Sequence, residues 1–343
     1  MRTDDFDYPL PAERIAQHPA PRGTSRLLVL DDRGLDRHRR ISDLPALLQA
    51  GDLLVVNDTR VIPARLFARR GATGGRVELL LVEKLDDHDW QCLARPGRRL
   101  RTGLELEIDE RLQARVLGRA DGGRFVLRFS SPVEPRLEEL GHVPLPPYIQ
   151  RPDEAADRQS YQTVFARHPG AIAAPTAGLH FTPRILAELG RRGIEIAQLT
   201  LHVGIGTFRP VSAELIADHR METERFTVPP ATAAAIAGTR RAGGRIVAVG
   251  TTVVRTLEAA ARDAEGRVRP GAGRTDIFIT PGFRFQVVDR LITNFHLPRS
   301  TLLMLVSAFA GRRRILAAYG EAIDNDYRFY SYGDAMLVSR ATD

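Results

Sequence analysis

Residues 171–210, AIAAPTAGLHFTPRILAELGRRGIEIAQLTLHVGIGTFRP, constrain the fold of this chain more than any other stretch. An apolar run, 171–175, leads into the loop TAGLHFT. Thr182 stands where a helix N-cap belongs, and Pro183 takes the first helical position, where its missing N–H costs nothing. In PRILAELGRR the apolar Ile185, Leu186 and Leu189 share one face, and Gly193 is placed to end the helix. The run IEIAQLTLHV reads as a strand that empties into a second, glycine-rich loop, GIGTFRP. The order is strand, loop, helix, strand, loop, with a histidine at the edge of each loop, His180 and His202. Such a unit belongs to an open α/β sheet, where ligands bind beyond the carboxyl ends of the strands.

Similar units flank it. Residues 26–30 read as a strand turning at 31–34, and 41–49 carry a helical pattern ended by Gly51. Residues 52–56 read as a buried strand running into Asn57-Asp58-Thr59-Arg60. Further on, strand 245–249 meets the turn Gly250-Thr251-Thr252 and the helix VVRTLEAAAR. A third strand, DIFIT, spans 276–280, and a fourth, 290–293, runs into Asn294-Phe295-His296-Leu297-Pro298. Ser300 caps the helix TLLMLVSAFAG, and the aromatic tail with Tyr327, Phe329, Tyr330 and Tyr332 reads first as a packed closing strand and second as a surface that stacks on a base. Between 61 and 131 six short strand-like runs recur, separated by GATGG, DDH, PGRRLRTG, DE and ADGG, the texture of a small antiparallel barrel. The expected fold class is therefore α/β: an open α/β core domain, residues 1–60 and 150–343, with an inserted small antiparallel β-barrel domain, 61–149, that includes a proline-rich return linker.

Composition narrows the class of function. The chain has 343 residues, 43% hydrophobic and 27% charged, which is ordinary globular material. Its start, MRTDDFDYPLP, lacks the apolar core of a signal peptide. The longest apolar run, 302–310, falls far short of the roughly 20 residues a membrane span needs. No membrane association and a cytoplasmic location are expected. The single Cys92 leaves no internal disulfide framework and no multi-cysteine metal site. Lys84 is the only lysine, which argues against Schiff-base chemistry. The net charge of +7 points to a polyanionic partner, nucleic acid first; a basic surface with no specific partner competes evenly on charge alone.

Each polar cluster has a chemical and a bland reading. His180, with Thr176 and Gly178 in its loop, suits acid–base work or anion binding before a capped helix; alternatively it packs locally. Gly204, Gly206 and Thr207 after His202 let backbone approach a ligand, or simply make a tight turn. Pro210 stands where a dinucleotide fingerprint needs its last glycine, and no P-loop lysine exists, so neither NAD nor a nucleoside triphosphate follows. Thr251, with Arg255 one turn on, fits an anion or is a plain cap. Asn57, Asp58 and Arg60 fit a ligand cleft or an Asn-Asp turn. His219, Glu222 and Glu224 offer a base and acceptors, or a solvated charge run; a convincing metal-ligand set is missing, so no metal is expected. In Asn294-Phe295-His296, phenylalanine can stack on a base and asparagine can read a hydrogen-bonding edge.

Taken together, FDYPLPAERIAQHPAPRGTSRLLVLD, NDTRVIPARL, GHVPLPPYI, YQTVFA, APTAGLHFT, LTLHVGIGTFRPV, GTTVVRTLE, TDIFITPGFRFQVVDRLITNFHLPRSTLLMLVSAFAG and DYRFYSYGDAML run in order along the whole chain. In these strings the chain resembles the S-adenosylmethionine:tRNA ribosyltransferase-isomerase family of queuosine biosynthesis. The resemblance implies an α/β domain with an inserted β-barrel. It implies transfer and isomerisation of the ribosyl moiety of S-adenosylmethionine onto 7-aminomethyl-7-deazaguanine at the tRNA wobble position. The product is epoxyqueuosine-tRNA, with adenine and methionine released. S-adenosylmethionine is then a substrate, with no further cofactor and no metal, and the partner is the anticodon arm of tRNA. A monomer is expected.

The reaction needs a base for the ribose carbon beside the sulfonium, and help for departing adenine. His180, His202 and Glu224 are the catalytic candidates. Asn57, Asp58, Arg60, Thr251 and Arg255 are candidates for the methionine and ribose parts, and Asn294, Phe295 and His296 for the modified base. Relatives commonly carry histidine where this chain has Glu222, which makes Glu224 the better candidate. Arg95, Arg98, Arg99 and Arg101 are candidates for phosphate contacts. A methyltransferase using the same donor, or a non-catalytic tRNA-binding protein, is the competing reading.

Overall fold

Five successive buried residues, Leu53–Asn57, mark the centre of the larger sheet, because a strand covered on both faces has no wet side and no alternation. The structure is a computed structural model and describes residues 1–31, 36–71, 74–204, 206, 211–261 and 266–341. It divides into two compact units: Met1–Arg60 with Pro147–Arg151 and Ser160–Asp343, and Val61–Pro146 with Pro152–Gln159. The chain opens with strands β1 (Arg26–Leu30), β2 (Asp36–Arg40), β3 (Leu53–Asn57) and β4 (Thr59–Val61). Six strands then belong to the second unit: β5 (Arg65–Arg70), β6 (Arg76–Lys84), β7 (Asp89–Arg95), β8 (Glu105–Glu107), β9 (Gln113–Ala120) and β10 (Arg124–Phe129). The first unit continues with β11 (His168–Ala171), β12 (Glu195–Leu201), β13 (Glu224–Val228), β14 (Ile246–Val249), β15 (Gly271–Thr275), β16 (Arg290–Asn294) and β17 (Ala335–Ser339).

The first unit is built on a nine-stranded sheet in the order β15-β13-β12-β3-β14-β16-β17-β1-β2. Strands β12, β3, β14 and β16 are mutually parallel; β17 runs against β16, and β1 runs with β17. Alternate residues of these strands enter two cores. Leu28, Leu53, Val55 and Ala248 face the helices Thr251–Ala260 and Thr301–Ala310, whereas Leu27, Leu54, Val56 and Val247 face Ile185 and Leu189 of the helix Pro183–Arg191. The expected caps form: Thr182 accepts a hydrogen bond from the Ile185 N–H, and Ser300 accepts one from Leu303.

The second unit is a closed six-stranded antiparallel barrel, β10-β7-β6-β5-β8-β9. Burial alternates along β6 and β9, so Val77, Leu79, Leu81, Ala114 and Val116 fill the interior with Cys92 and Phe125. The α/β core with a small antiparallel barrel is therefore the fold observed.

Three local expectations differ. Residues 276–280 are not a strand; β15 forms just before them, at Gly271–Thr275. The close approach of the Phe226 ring over Gly273, where an added Cβ would lie 2.5 Å from Cζ, explains why a glycine-bearing segment pairs with β13. The pattern over 41–49 yields only a 3-10 turn, Ile41–Asp43, and one helical turn, Leu44–Leu47, ending where Leu48 turns extended. The run 172–175 is not a strand either: β11 stops at Ala171, and TAGLH forms a 3-10 turn, Thr176–His180. The expected turn at 31–34 lies largely outside the described residues.

Candidate active site

Parallel strands place their carboxyl ends on one edge of a sheet, and here four of them do so. At that edge β12 leads to His202, β3 ends at Asn57 before Asp58, β14 leads to Gly250 and Thr251, and β16 ends at Asn294 before His296. Because β17 and β1 run oppositely to β16, the residues preceding them, Tyr330–Asp334 and Ser25, reach the same edge.

A cavity opens there, with about 660 Å³ between its walls, its open mouth included. Ala173 to Ala177 form one wall, and Val203, Gly250, Thr251 and Thr252 the next. Thr293, Asn294, Phe295, His296 and Leu297 line the floor, with Ser300, Leu302, Tyr148, Tyr330 and Ser331 completing it. Two helices begin at this cavity. Ser300 caps one of them, but the helix Thr251–Ala260 starts at Gly250 with no side-chain cap, so its positive end is available to an anion. Gly250 has φ +93, which a side chain resists.

Of the expected site residues, Thr176, Thr251, Asn294, Phe295 and His296 line this cavity. Asn57 stands just behind it and acts as a clamp: its Nδ2 donates to the Leu201 carbonyl (3.0 Å) and to Thr252 Oγ1 (3.3 Å), while Oδ1 accepts from the N–H groups of Thr59 and Leu201. Asp58 accepts from Thr200 Oγ1 at 2.6 Å, and its carbonyl takes the N–H groups of Arg167 and His168. Arg60 is exposed. Gly178 is buried against Thr163, whose Cγ2 would lie 2.9 Å from an added Cβ, so packing accounts for it. The Gly204 N–H donates to Glu224 Oε1 at 3.1 Å. An added Cβ on Gly206 would touch the Glu222 side chain at 3.4 Å. Thr207 lies outside the described residues.

The three catalytic candidates separate. His202 is half-buried, and its Nδ1 lies 2.9 Å from Thr59 Oγ1. Thr59 Oγ1 also lies 3.5 Å from the His168 carbonyl, and its contact with Nδ1 orients the ring, whose neutral form leaves one nitrogen as an acceptor. Burial, then the charge of Arg225, lower the His202 pKa from its ordinary value and favour this neutral form. Gly170 makes room for the ring: at φ +143, its missing Cβ would lie 2.9 Å from Nδ1.

Glu224 is buried and forms an ion pair with Arg255 of the helix Thr251–Ala260. Its carboxylate is thus committed to Arg255 and Gly204. His180 is buried, with Nδ1 2.9 Å from Ser25 Oγ and Nε2 3.2 Å from Asn294 Nδ2. Burial, then the charge of Arg328, push its pKa down to about 4. His180 lines a second, smaller cavity with Arg22, Ser25, Ser160 and Tyr332.

The Phe295 ring is fully buried in a cluster with Tyr319, Tyr327 and Phe329, so stacking on a base is not open to it in this arrangement. His296 is held between Thr293 Oγ1 (3.1 Å) and the Tyr319 hydroxyl (3.2 Å); burial lowers its pKa to about 3. Among the described residues, no group of three or more His, Cys, Asp or Glu is placed to hold a metal ion, and no helix is long and apolar enough to cross a membrane.

Sequence reasoning did not single out Tyr148, Ser25 or Ser331, and it set packing ahead of stacking on a base for Tyr330. Its left-handed backbone, φ +72 on a bulky residue, is a tertiary feature without local signature. Thr59 was visible only as part of a polar turn.

The profile of the family described as queuosine biosynthesis protein matches residues 3–338. An S-adenosylmethionine:tRNA ribosyltransferase-isomerase of Moorella thermoacetica is 56% identical over 98% of this chain and 100% of its own. One from Dechloromonas aromatica is 54% identical over 99% of this chain and 97% of its own. The crystal structure of S-adenosylmethionine tRNA ribosyltransferase from Thermotoga maritima, 43% identical, covers 97% of this chain and 99% of that one with a TM-score of 0.56.

Proposed function

The chain belongs to the queuosine biosynthesis protein family, and from that premise we propose how its cavity serves the reaction. The activity is that of an S-adenosylmethionine:tRNA ribosyltransferase-isomerase in queuosine biosynthesis. In our reading the ribosyl moiety passes to the aminomethyl nitrogen of 7-aminomethyl-7-deazaguanine at the tRNA wobble position. Epoxyqueuosine-tRNA forms, and adenine and methionine leave. The observation that carries the reading is the identity of 56% along essentially the whole of a relative bearing that name.

The cavity supports it chemically. The uncapped start of the helix Thr251–Ala260, with the Thr251 and Thr252 hydroxyls, suits the methionine carboxylate. The carbon beside the sulfonium is acidified by the positive charge and must lose its proton to a base. His202 is the group we assign, because Thr59 orients its ring and burial favours the neutral, proton-accepting form. Glu224 and Arg255 act as a buried support for the Gly204 loop and the helix. The exposed arginines Arg95, Arg98, Arg99 and Arg101 of the barrel suit tRNA phosphates.

Product analysis tests the reading. Incubation with S-adenosylmethionine and tRNA carrying the precursor base should yield adenine and methionine in equal amounts. S-adenosylhomocysteine instead would make the protein a methyltransferase, and binding without turnover would make it a tRNA-binding module.

A further inference from the structure

A buried histidine with both ring nitrogens engaged has little freedom to exchange protons, but it can orient a neighbour. Asn294 is 3% exposed and stands at the end of β16. Its Nδ2 donates to the Tyr330 carbonyl at 3.0 Å, which settles which end of the carboxamide is nitrogen. The second Nδ2 proton then faces His180 Nε2 at 3.2 Å, so that nitrogen accepts. The ring proton therefore sits on Nδ1 and is donated to Ser25 Oγ at 2.9 Å. With Nδ2 fully used, Asn294 Oδ1 is left, buried and without a hydrogen-bond partner among the described residues. Asn294 lines the larger cavity while Ser25 and His180 line the smaller one behind it.

We propose that Ser25, His180 and Asn294 form a relay that fixes the Asn294 carboxamide with Oδ1 toward the cavity, where it accepts a hydrogen bond from the exocyclic amino group of a purine-type ring. His180 is a positioning residue in this arrangement, and Asn294 determines specificity. An unpaired buried acceptor selects for a donor, because a ligand without one leaves it unsatisfied. The lining of the cavity suits an aromatic ring: Tyr148 and Tyr330, with ring centroids 4.6 Å apart, share it with the apolar Ala173, Ala174 and Pro175. Tyr330, whose carbonyl accepts from Asn294, has a left-handed backbone, φ +72, and strain of this kind concentrates at ligand sites. The lowered His180 pKa agrees with a nitrogen that must stay an acceptor.

The proposal rests on the function given above, under which two such amines are available: that of adenine in the donor, and the 2-amino group of the deazaguanine base. Steady-state adenine release is measured with S-adenosylmethionine and precursor tRNA varied in turn. Asn294→Ala and His180→Leu should raise one KM about tenfold, as expected for one lost hydrogen bond. A rise in the KM of S-adenosylmethionine identifies the adenine amine; a rise in that of tRNA identifies the base. His180→Gln, which can accept from Asn294 and donate to Ser25, should stay within about threefold of wild type and keep its pH profile. Ser25→Ala should raise the same KM by a smaller factor, and urea unfolding of each variant checks that it is folded. Two results overturn the relay: an unchanged KM in Asn294→Ala, or a His180→Gln variant as impaired as His180→Leu with a lost pH limb. The functional reading fails separately, if the wild-type protein releases no adenine.

Discussion

Replacing Glu224 by glutamine removes the charge that balances Arg255 inside the core unit. Arg255 is 3% exposed and Glu224 7%, so water cannot take over as counter-charge. Breaking a buried pair from one side costs about 3–5 kcal/mol, because the remaining charge is stranded. The glutamine oxygen still accepts the Gly204 N–H, which places the expected loss near the lower end, about 3 kcal/mol. For a unit of this size that lowers Tm by roughly 6–12 °C. Arg255→Met should cost a similar amount. The double variant should be more stable than the sum of the two by about 2 kcal/mol or more, since neither charge is then left alone. Urea unfolding followed by circular dichroism at 222 nm reads the core unit, where the long helices lie. Turnover should fall only as far as the Gly204 loop and the helix Thr251–Ala260 are loosened. A Glu224→Gln protein within about 1 kcal/mol of wild type that nevertheless loses turnover by about a thousandfold would refute the structural role and return Glu224 to the proton chemistry.

Acid stability follows from two buried histidines. The pKa values of His180 and His296 are lowered from 6.5 to about 4 and about 3, so the folded state binds fewer protons than the unfolded chain below pH 6.5. Their contribution is intact above pH 6.5 and falls as pH drops toward 4 and 3, by about 2 kcal/mol each at pH 5; His296→Gln should flatten the stability–pH curve over that window. Gly170→Ala should press a methyl group on the His202 ring and detach it from Thr59, lowering turnover more than Tm; equal turnover would place the base elsewhere. Affinity for tRNA should fall steeply with salt, and Arg98→Ala or Arg99→Ala should each reduce the log–log slope by about 0.7–0.9 if the residue neutralises one phosphate; an unchanged slope would remove those arginines from the interface.

Much of the architecture is legible along the chain because its causes are local. Thr182-Pro183 and Ser300 start helices through their own side chains. The alternation in 76–84 and 113–120 specifies barrel strands, and the unbroken apolar run at β3 specifies a strand covered on both faces. Motif strings along the whole length carry the family. Where tertiary contacts outweigh local pattern, the reading changes: the apolar DIFIT stays irregular while glycine-bearing β15 pairs, because the Phe226 ring needs the space over Gly273.

The site divides the same way. Sequence alone determined that polar residues cluster after strands, and that Thr251, Asn294 and His296 belong among them. Only the folded sheet decided their partners, because four parallel strand ends and two opposed strand starts meet at one edge from positions far apart in the chain. That meeting ties His180 to Ser25 and Asn294, commits Glu224 to Arg255, and gives His202 its hydroxyl partner Thr59. Hydrogen-bond partners and burial depend on through-space proximity, and both decide whether a histidine or a carboxylate exchanges protons or holds its neighbours in place.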